Sequence, residues 1–260
     1  MFSWFGYFMN FEDRIKVIAD AGFEAAMISW EDEEEPWAIR KEDFPEIVRK
    51  NGLEITNIHA PFIGYSDIWT ASRMEIQPKL QMFKDYLKDC RAFDIPAMVM
   101  HTNDLDEFQP DLDKGLAFFS ELADAAEKHG VNLAVENVSR QHLLVYLLDE
   151  IDAPRFGMCY DSSHDFLEEQ NCGRILKTHK HRIKALHLSD NDFQADRHWI
   201  PGEGSIPLNE VMEELLTVPT IKTISYEVLA NEQWREKEPL DFARAVRESL
   251  ALKADKPQQK

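Results

Sequence analysis

The chain has 260 residues, 44% of them hydrophobic, which is ample for a sizeable core and a length common for one α/β barrel. It carries 48 acidic against 29 basic residues, a formal net charge of -19. Such a surface disfavours nucleic acid, whose binding rests on Lys and Arg displacing counterions, and it disfavours anionic membranes.

Met1-Phe2-Ser3-Trp4-Phe5 runs into charge by Glu12 with no secretory h-region, and no long apolar stretch follows. Three cysteines, Cys90, Cys159 and Cys172, are odd in number and lack CxxC spacing, as expected of a reduced cytoplasmic protein.

In chain order, a first strand is expected over residues 2–7 and a helix over 11–21. Asp20-Ala21-Gly22-Phe23 then leads into AAMIS, a second strand over 25–29. After an acidic loop and a short helix over 44–50, Lys50-Asn51-Gly52-Leu53 leads into EITNIH, a third strand over 54–59. A long helix over 72–93 has Pro78 near its start or at a kink. The fourth strand covers 97–101. The helix over 112–129 has an apolar stripe at Leu116, Phe119, Leu122, Ala123 and Ala126. Lys128-His129-Gly130-Val131 leads into NLAVEN, a fifth strand over 132–136. The remaining pairs are a helix over 141–150 with a strand over 156–161, a helix over 173–178 with a strand over 183–188, and a helix over 208–217 with a strand over 223–228. A last helix covers 240–250, before a polar tail from about residue 252. Each Gly-terminated helix is followed at once by an apolar strand, because Gly past a helix end takes the left-handed cap conformation without steric cost.

Eight strands alternating with helices predict one (β/α)8 TIM barrel spanning 1–260. The competing open doubly wound sheet usually has a Gly-rich turn after its first strand, and GYFMNF is no such turn.

In a barrel the C-terminal strand ends converge on one mouth. Those ends and the loops after them carry His59, His101, Glu136, Asp161, His164, His187, Asp196, His198 and Glu227. Each alone has a plain reading: a buried His is often only hydrogen-bonded, and Asp161 before Ser162 and Ser163 can cap the next helix. His129, His142, His179 and His181 fall in helices or at their ends and take that plain reading. The nine together point to a metal, since so many buried carboxylates repel one another without a cation. Mixed imidazole and carboxylate donors suit Mn, Zn, Co or Fe. Residues 183–204 are densest in such side chains, with Asp190, Asp192 and Glu203 beside His187, Asp196 and His198. Asp196 and His198, two apart, point the same way in an extended segment.

The motifs NIHAPF, VMHTND, AVENV, CYDSSHD, LHLSDND, DRHWIPGEG and SYEVL resemble the xylose isomerase-like TIM barrel superfamily over nearly the whole chain. This superfamily includes sugar phosphate isomerases and epimerases and the endonuclease IV repair enzymes. The resemblance implies that Glu136, Asp161, His187 and Glu227 hold one divalent ion. In the endonuclease branch His59 and His101 join Glu136 at a second ion, and His164, Asp196 and His198 hold a third. In the epimerase branch His164 contacts substrate, and Glu136 and Glu227 double as acid and base.

The expected activity is therefore proton transfer beside the carbonyl of a sugar or sugar phosphate through a stabilised enediolate, with one ion and at most three. A trinuclear zinc phosphoesterase and a non-catalytic sugar-binding barrel are the alternatives. The surface charge and the absence of a loop with clustered Arg, Lys and Tyr favour a small-molecule partner over nucleic acid. Trp69, Trp199 and Glu203 join His164 as expected substrate contacts, with Trp4 and Trp30 also near strand ends. Gly202 and Gly204 offer backbone N–H groups to a phosphate. Trp234 and Phe242 are candidates for packing at a homo-oligomer contact.

Overall fold

The computed structural model describes residues 1–167 and 173–250. Cys172 and the expected polar tail lie outside the described residues. Six parallel strands, β1 (Ala25–Ser29), β2 (Glu54–His59), β3 (Ala97–His101), β4 (Asn132–Glu136), β5 (Phe156–Asp161) and β6 (Ile183–His187), pair in the order β1-β2-β3-β4-β5-β6. They match the expected second to seventh strands.

The expected first and eighth strands are shorter than the alternation implied. Each is a single parallel bridge, Phe2 to Met27 and Leu188 to Tyr226. The first run ends early because Gly6 takes φ +90 against Ala230, whose backbone nitrogen would lie 2.9 Å from any Cβ placed there. The two bridged segments nevertheless meet, since the Phe2 N–H donates to the Tyr226 carbonyl at 2.9 Å. The free edges of β1 and β6 are thereby brought together.

Helices pack outside the sheet for reasons legible in the sequence. Phe11–Asp20 starts at Asn10, whose side chain accepts from the Asp13 N–H. Arg73–Ala92 starts with a capping box between Ser72 and Glu75 and keeps Pro78 inside the helix. Leu112–His129 ends at Gly130 in the left-handed conformation. The expected helix over 208–217 is Leu208–Leu215, and the last helix is Pro239–Glu248. Among the described residues no helix is long and apolar enough to cross a membrane.

Inside the curve of the sheet, Val99, Ala134 and Cys159 form a small cluster of their own, with Ala185 packed on it. Side chains alternate faces along a strand, so two residues further on the same inner face carries His101, Glu136, Asp161 and His187. In the register His101 lies beside Glu136, Glu136 beside Cys159 and Asp161 beside His187, so the row steps by two residues between β4 and β5. A floor of small apolar groups thus carries a layer of ionisable ones.

Candidate metal centre

Glu136, at the end of β4, is the hub. Its Oε2 lies 3.2 Å from His59 Nε2, 3.3 Å from His187 Nδ1 and 3.6 Å from His101 Nε2, and its Oε1 lies 3.2 Å from His164 Nδ1. Glu136 is fully buried. Burial by itself raises its carboxyl, but the charge of His187 and the hydrogen bonds of the surrounding imidazoles hold it well below the usual range. His59 is held at both ring nitrogens, Nδ1 2.7 Å from the Ala60 carbonyl and Nε2 3.2 Å from Glu136 Oε2. His101 is pushed down to about 4, chiefly by burial, and is neutral at neutral pH.

Glu136, Asp161, His187 and Glu227 form a buried quartet whose donor atoms all lie within 4.8 Å of one another. Two observations fit a cation among them. Asp161 Oδ1 accepts the His164 N–H at 2.8 Å and caps the next turn, while Oδ2 is buried without a hydrogen-bond partner. The capping reading of Asp161 is met by Oδ1, and Oδ2 is left over. His187 Nδ1 lies 2.8 Å from Glu227 Oε2, yet is in hydrogen-bond geometry with nothing. Such a crowding of imidazole and carboxylate donors about one point is what a cation site requires. Burial lifts Asp161 to about 6 against the charge of His164, whereas the charge of His187 offsets burial at Glu227 and brings it to about 2.

A second group, His164, Asp196 and His198, sits at the rim, half-buried to exposed. Asp196 Oδ2 lies 3.1 Å from His164 Nε2 and 2.7 Å from His198 Nε2. His198 Nδ1 donates to the Glu227 carbonyl at 3.1 Å, which turns its Nε2 toward Asp196. A third group, His59, Glu136 and His187, shares two members with the quartet. His101 belongs to none of the three, standing beyond them at its 3.6 Å distance from Glu136.

The expected substrate contacts fare unevenly. Trp69 is a core residue: it is fully buried, its Nε1 donates to the Thr102 carbonyl at 2.7 Å, and its ring fills the space beside Gly115. No face of it is open to a ligand. Trp30 is likewise fully buried, with its indole N–H on Asp89. Glu203 is exposed and accepts from the Trp234 indole at 2.9 Å, which ties down the turn, and Trp199 lies half-buried beside the Arg197 guanidinium. Asp192 pairs with Arg197.

The sequence reading overlooked the residues that hold this layer still. Asp190 is fully buried and accepts the N–H groups of Asn191, Gly202, Gly204 and Ile206, between 2.7 and 3.0 Å. Gly202 and Gly204 therefore face Asp190 and offer nothing to a phosphate. A Cβ at Gly204 would lie 2.4 Å from Asp190 Oδ1, so the turn needs glycine. Ser163 Oγ donates to Asp196 Oδ1 at 2.7 Å and aims that carboxylate. Phe62 stacks on His59 with ring centroids 4.4 Å apart and covers the cluster from the mouth. The glycine spacing of IPGEG after Asp190 was the available signal for the first of these.

Residues 15–248 match the family model of the xylose isomerase-like TIM barrel. An uncharacterized protein of Methanocaldococcus jannaschii is 28% identical over 65% of this chain and 63% of its own length. Fructoselysine 3-epimerase of Escherichia coli O157:H7 is 27% identical over 37% of this chain and 38% of its own. The chain thus spans less than two thirds of these curated relatives. D-allulose 3-epimerase from Methylomonas sp., solved with D-allulose, superposes with a TM-score of 0.76 over 96% of this chain and 94% of that one, at 15% identity. The IOLI protein solved with a zinc atom superposes with a TM-score of 0.72 over 94% and 92%, at 14% identity. At such identities the superpositions speak to fold. The matched span, together with the strand-end motifs, makes this chain a member of the xylose isomerase-like TIM barrel family.

Proposed function

We propose that the chain, as a single barrel domain, is a divalent-metal-dependent sugar or sugar phosphate isomerase or epimerase. The observation that carries this reading is the quartet, in which Glu136 and Glu227 both reach His187 Nδ1 while Asp161 Oδ2 stays unpartnered. A divalent ion held by Glu136, Asp161, His187 and Glu227 would supply positive charge beside a substrate carbonyl oxygen. Glu136, from β4, and Glu227, from the segment beyond β6, reach the quartet from different walls. One removes the proton next to the carbonyl and the other returns it, as base and acid. His164, with Nδ1 toward Glu136 and Nε2 toward Asp196, is placed to orient a substrate hydroxyl. Phe62 over His59 sheds water from the same space. The names of the epimerase relatives point the same way.

The test is exchange of a ketose C–H with deuterated solvent, catalysed by the metal-loaded protein. Glu136→Gln and Glu227→Gln should each abolish it. Exchange that persists in either variant removes that residue from proton transfer.

One observation favours a second reading. The His164, Asp196 and His198 group could hold a further ion, as a trinuclear phosphoesterase requires. Close to three zinc ions per chain and cleavage of DNA at an abasic site would replace the isomerase reading. One ion per chain with no cleavage supports it.

A further inference from the structure

A cavity of about 290 Å³ opens at the N-terminal ends of the strands, the end opposite the metal centre. Its walls include Glu54, Thr56 and Asn57 of β2, Lys184 of β6, and Lys222 and Ser225 of the segment that closes the sheet. That size is near the lower bound of about 300 Å³ for ligand pockets, so it suits a small molecule or ion. The backbone is bent to build it, for two register shifts of the sheet both lie on this cavity. Between β1 and β2, Ala26 faces Ile55 and Met27 faces Asn57, which leaves Thr56 as an extra residue. Between β5 and β6, Met158 faces Ile183 and Cys159 faces Ala185, which leaves Lys184 as the extra one. A bulge re-aims a side chain that regular pleating would send elsewhere. Lys184 then runs across Gly157, where a Cβ would lie 2.7 Å from its Cγ.

The walls leave both an acceptor and cations unmatched. Asn57 is only 2% exposed, and its Nδ2 donates to Thr56 Oγ1 at 3.4 Å. Its Oδ1 is buried and accepts from nothing. A buried acceptor on a cavity wall is completed by a donor from outside the chain. Lys184 and Lys222 make no ion pair with a carboxylate among the described residues. Burial, then the charges of Arg182 and Arg155, hold Lys184 below its ordinary value. Glu54, exposed at the rim, is the only carboxylate of the wall, in a chain whose net charge is -19. Asn57 lies two residues before His59 on the same face of β2, so an occupant here sits one layer beneath the metal ligands.

We propose that this cavity binds a small anion that carries a hydroxyl, either a protonated phosphate or a hydroxycarboxylate. Its charge meets the Lys184 and Lys222 ammonium groups, and its hydroxyl donates to Asn57 Oδ1. An anion with no proton to give sets its lone pairs against that buried oxygen and is refused. At neutral pH phosphate keeps a proton and sulfate does not; glycolate has a hydroxyl and acetate has none.

The test is calorimetric titration of the metal-loaded full chain, at neutral pH and fixed ionic strength, with inorganic phosphate, sulfate, glycolate and acetate. Phosphate should bind about tenfold or more tighter than sulfate, or glycolate than acetate, the factor that one buried hydrogen bond supplies. A preference within the phosphate pair alone assigns a phosphate, and one within the glycolate pair alone a hydroxycarboxylate. Lys184→Gln/Lys222→Gln should weaken the preferred anion by about tenfold or more. Asn57→Leu should bring that pair toward equal affinity; should this variant not fold, the paired anions on the parent chain still decide. Neither lysine belongs to the metal centre. Binding that survives their replacement is therefore binding at the ion, and overturns the proposal. Equal affinities within both pairs overturn it too, as does the absence of binding, which would leave the cavity to water.

Discussion

Asn137 and Asp161 exchange hydrogen bonds across adjacent strands: Asn137 Nδ2 donates to the Asp161 carbonyl at 2.9 Å, and the Asp161 N–H donates to Asn137 Oδ1 at 2.7 Å. Both residues are fully buried. Through this pair the end of β4, bearing Glu136, is locked to the end of β5, bearing Asp161. Asn137→Leu would strand two buried backbone groups and should cost about 2–4 kcal/mol in denaturant unfolding. It should also weaken the first divalent ion by roughly 10- to 100-fold, as loss of an orienting partner does. Unchanged ion affinity in a folded variant would mean that the pair serves the fold alone.

Asp190 holds the loop that carries Asp196 and His198, by accepting four backbone N–H groups. Asp190→Ala leaves those donors buried and unpaired, at a cost of about 3 kcal/mol or more. The expected signature is spatial. Limited proteolysis should open the loop between β6 and Leu208–Leu215, and any second ion at His164, Asp196 and His198 should be lost before the quartet's own. Equal loss at both groups would show that the loop and the quartet are one cooperative unit.

The layer of ionisable groups was legible in the sequence because it follows from strand periodicity. Once 99, 134, 159 and 185 are inner-face positions, 101, 136, 161 and 187 must be too. The closing segments were less legible. A single bridge at Phe2 and another at Tyr226 leave the same apolar pattern as a full strand, and only Gly6 signals that the first run turns away. Side chains that act on the backbone left the faintest trace. Asp190 reads as one more acidic residue in an acidic loop, and its role depends on glycines 12 and 14 residues later folding back onto it. Trp69 misled for a related reason: lying just past a strand end places a residue near the mouth, but the space beside Gly115 decides which way the ring turns.

That space makes a stability prediction. A Cβ on Gly115 would lie 2.2 Å from the Trp69 ring. The ring is pinned on its other side by its bond to the Thr102 carbonyl. Gly115→Ala removes a helix-disfavouring glycine, a gain of about 1 kcal/mol. Overpacking against a ring that cannot retreat costs about 1–3 kcal/mol or somewhat more. The net should be a lower Tm, by roughly 2–8 °C for a domain of this size. A variant as stable as the parent would show the indole free to move, and would return Trp69 to the possible ligand contacts.

The last prediction concerns protons, because a metal must displace those that the quartet holds in its absence. Burial works to lower His187, yet Cys159, Glu227 and Glu136 around it hold it well above the ordinary value of 6.5. His198 is opposed by burial in the same way, but the hydrogen bond to Asp196 and the charge of Glu227 bring it to about 9. Both imidazoles are thus protonated in the metal-free protein at neutral pH, each supplying the positive charge that the carboxylates require. For His198 this stabilising pairing is fully present below 6.5, its unfolded value, and is lost as pH rises through about 9. An ion needs the lone pairs instead, so loading releases protons and gains affinity as pH rises over that window. Below about 6 a further proton on Asp161, lifted there chiefly by burial, competes as well. Loading zinc or manganese into chelator-stripped protein in weak buffer at neutral pH should release about one proton for the quartet's ion, with more for any ion at His164, Asp196 and His198. Apparent affinity should rise about tenfold per pH unit for each proton displaced. Loading without proton release would mean that the histidines are already neutral, so that the buried carboxylates of the metal-free protein must be neutralised by protons of their own, and affinity would then depend on pH only at the acidic end.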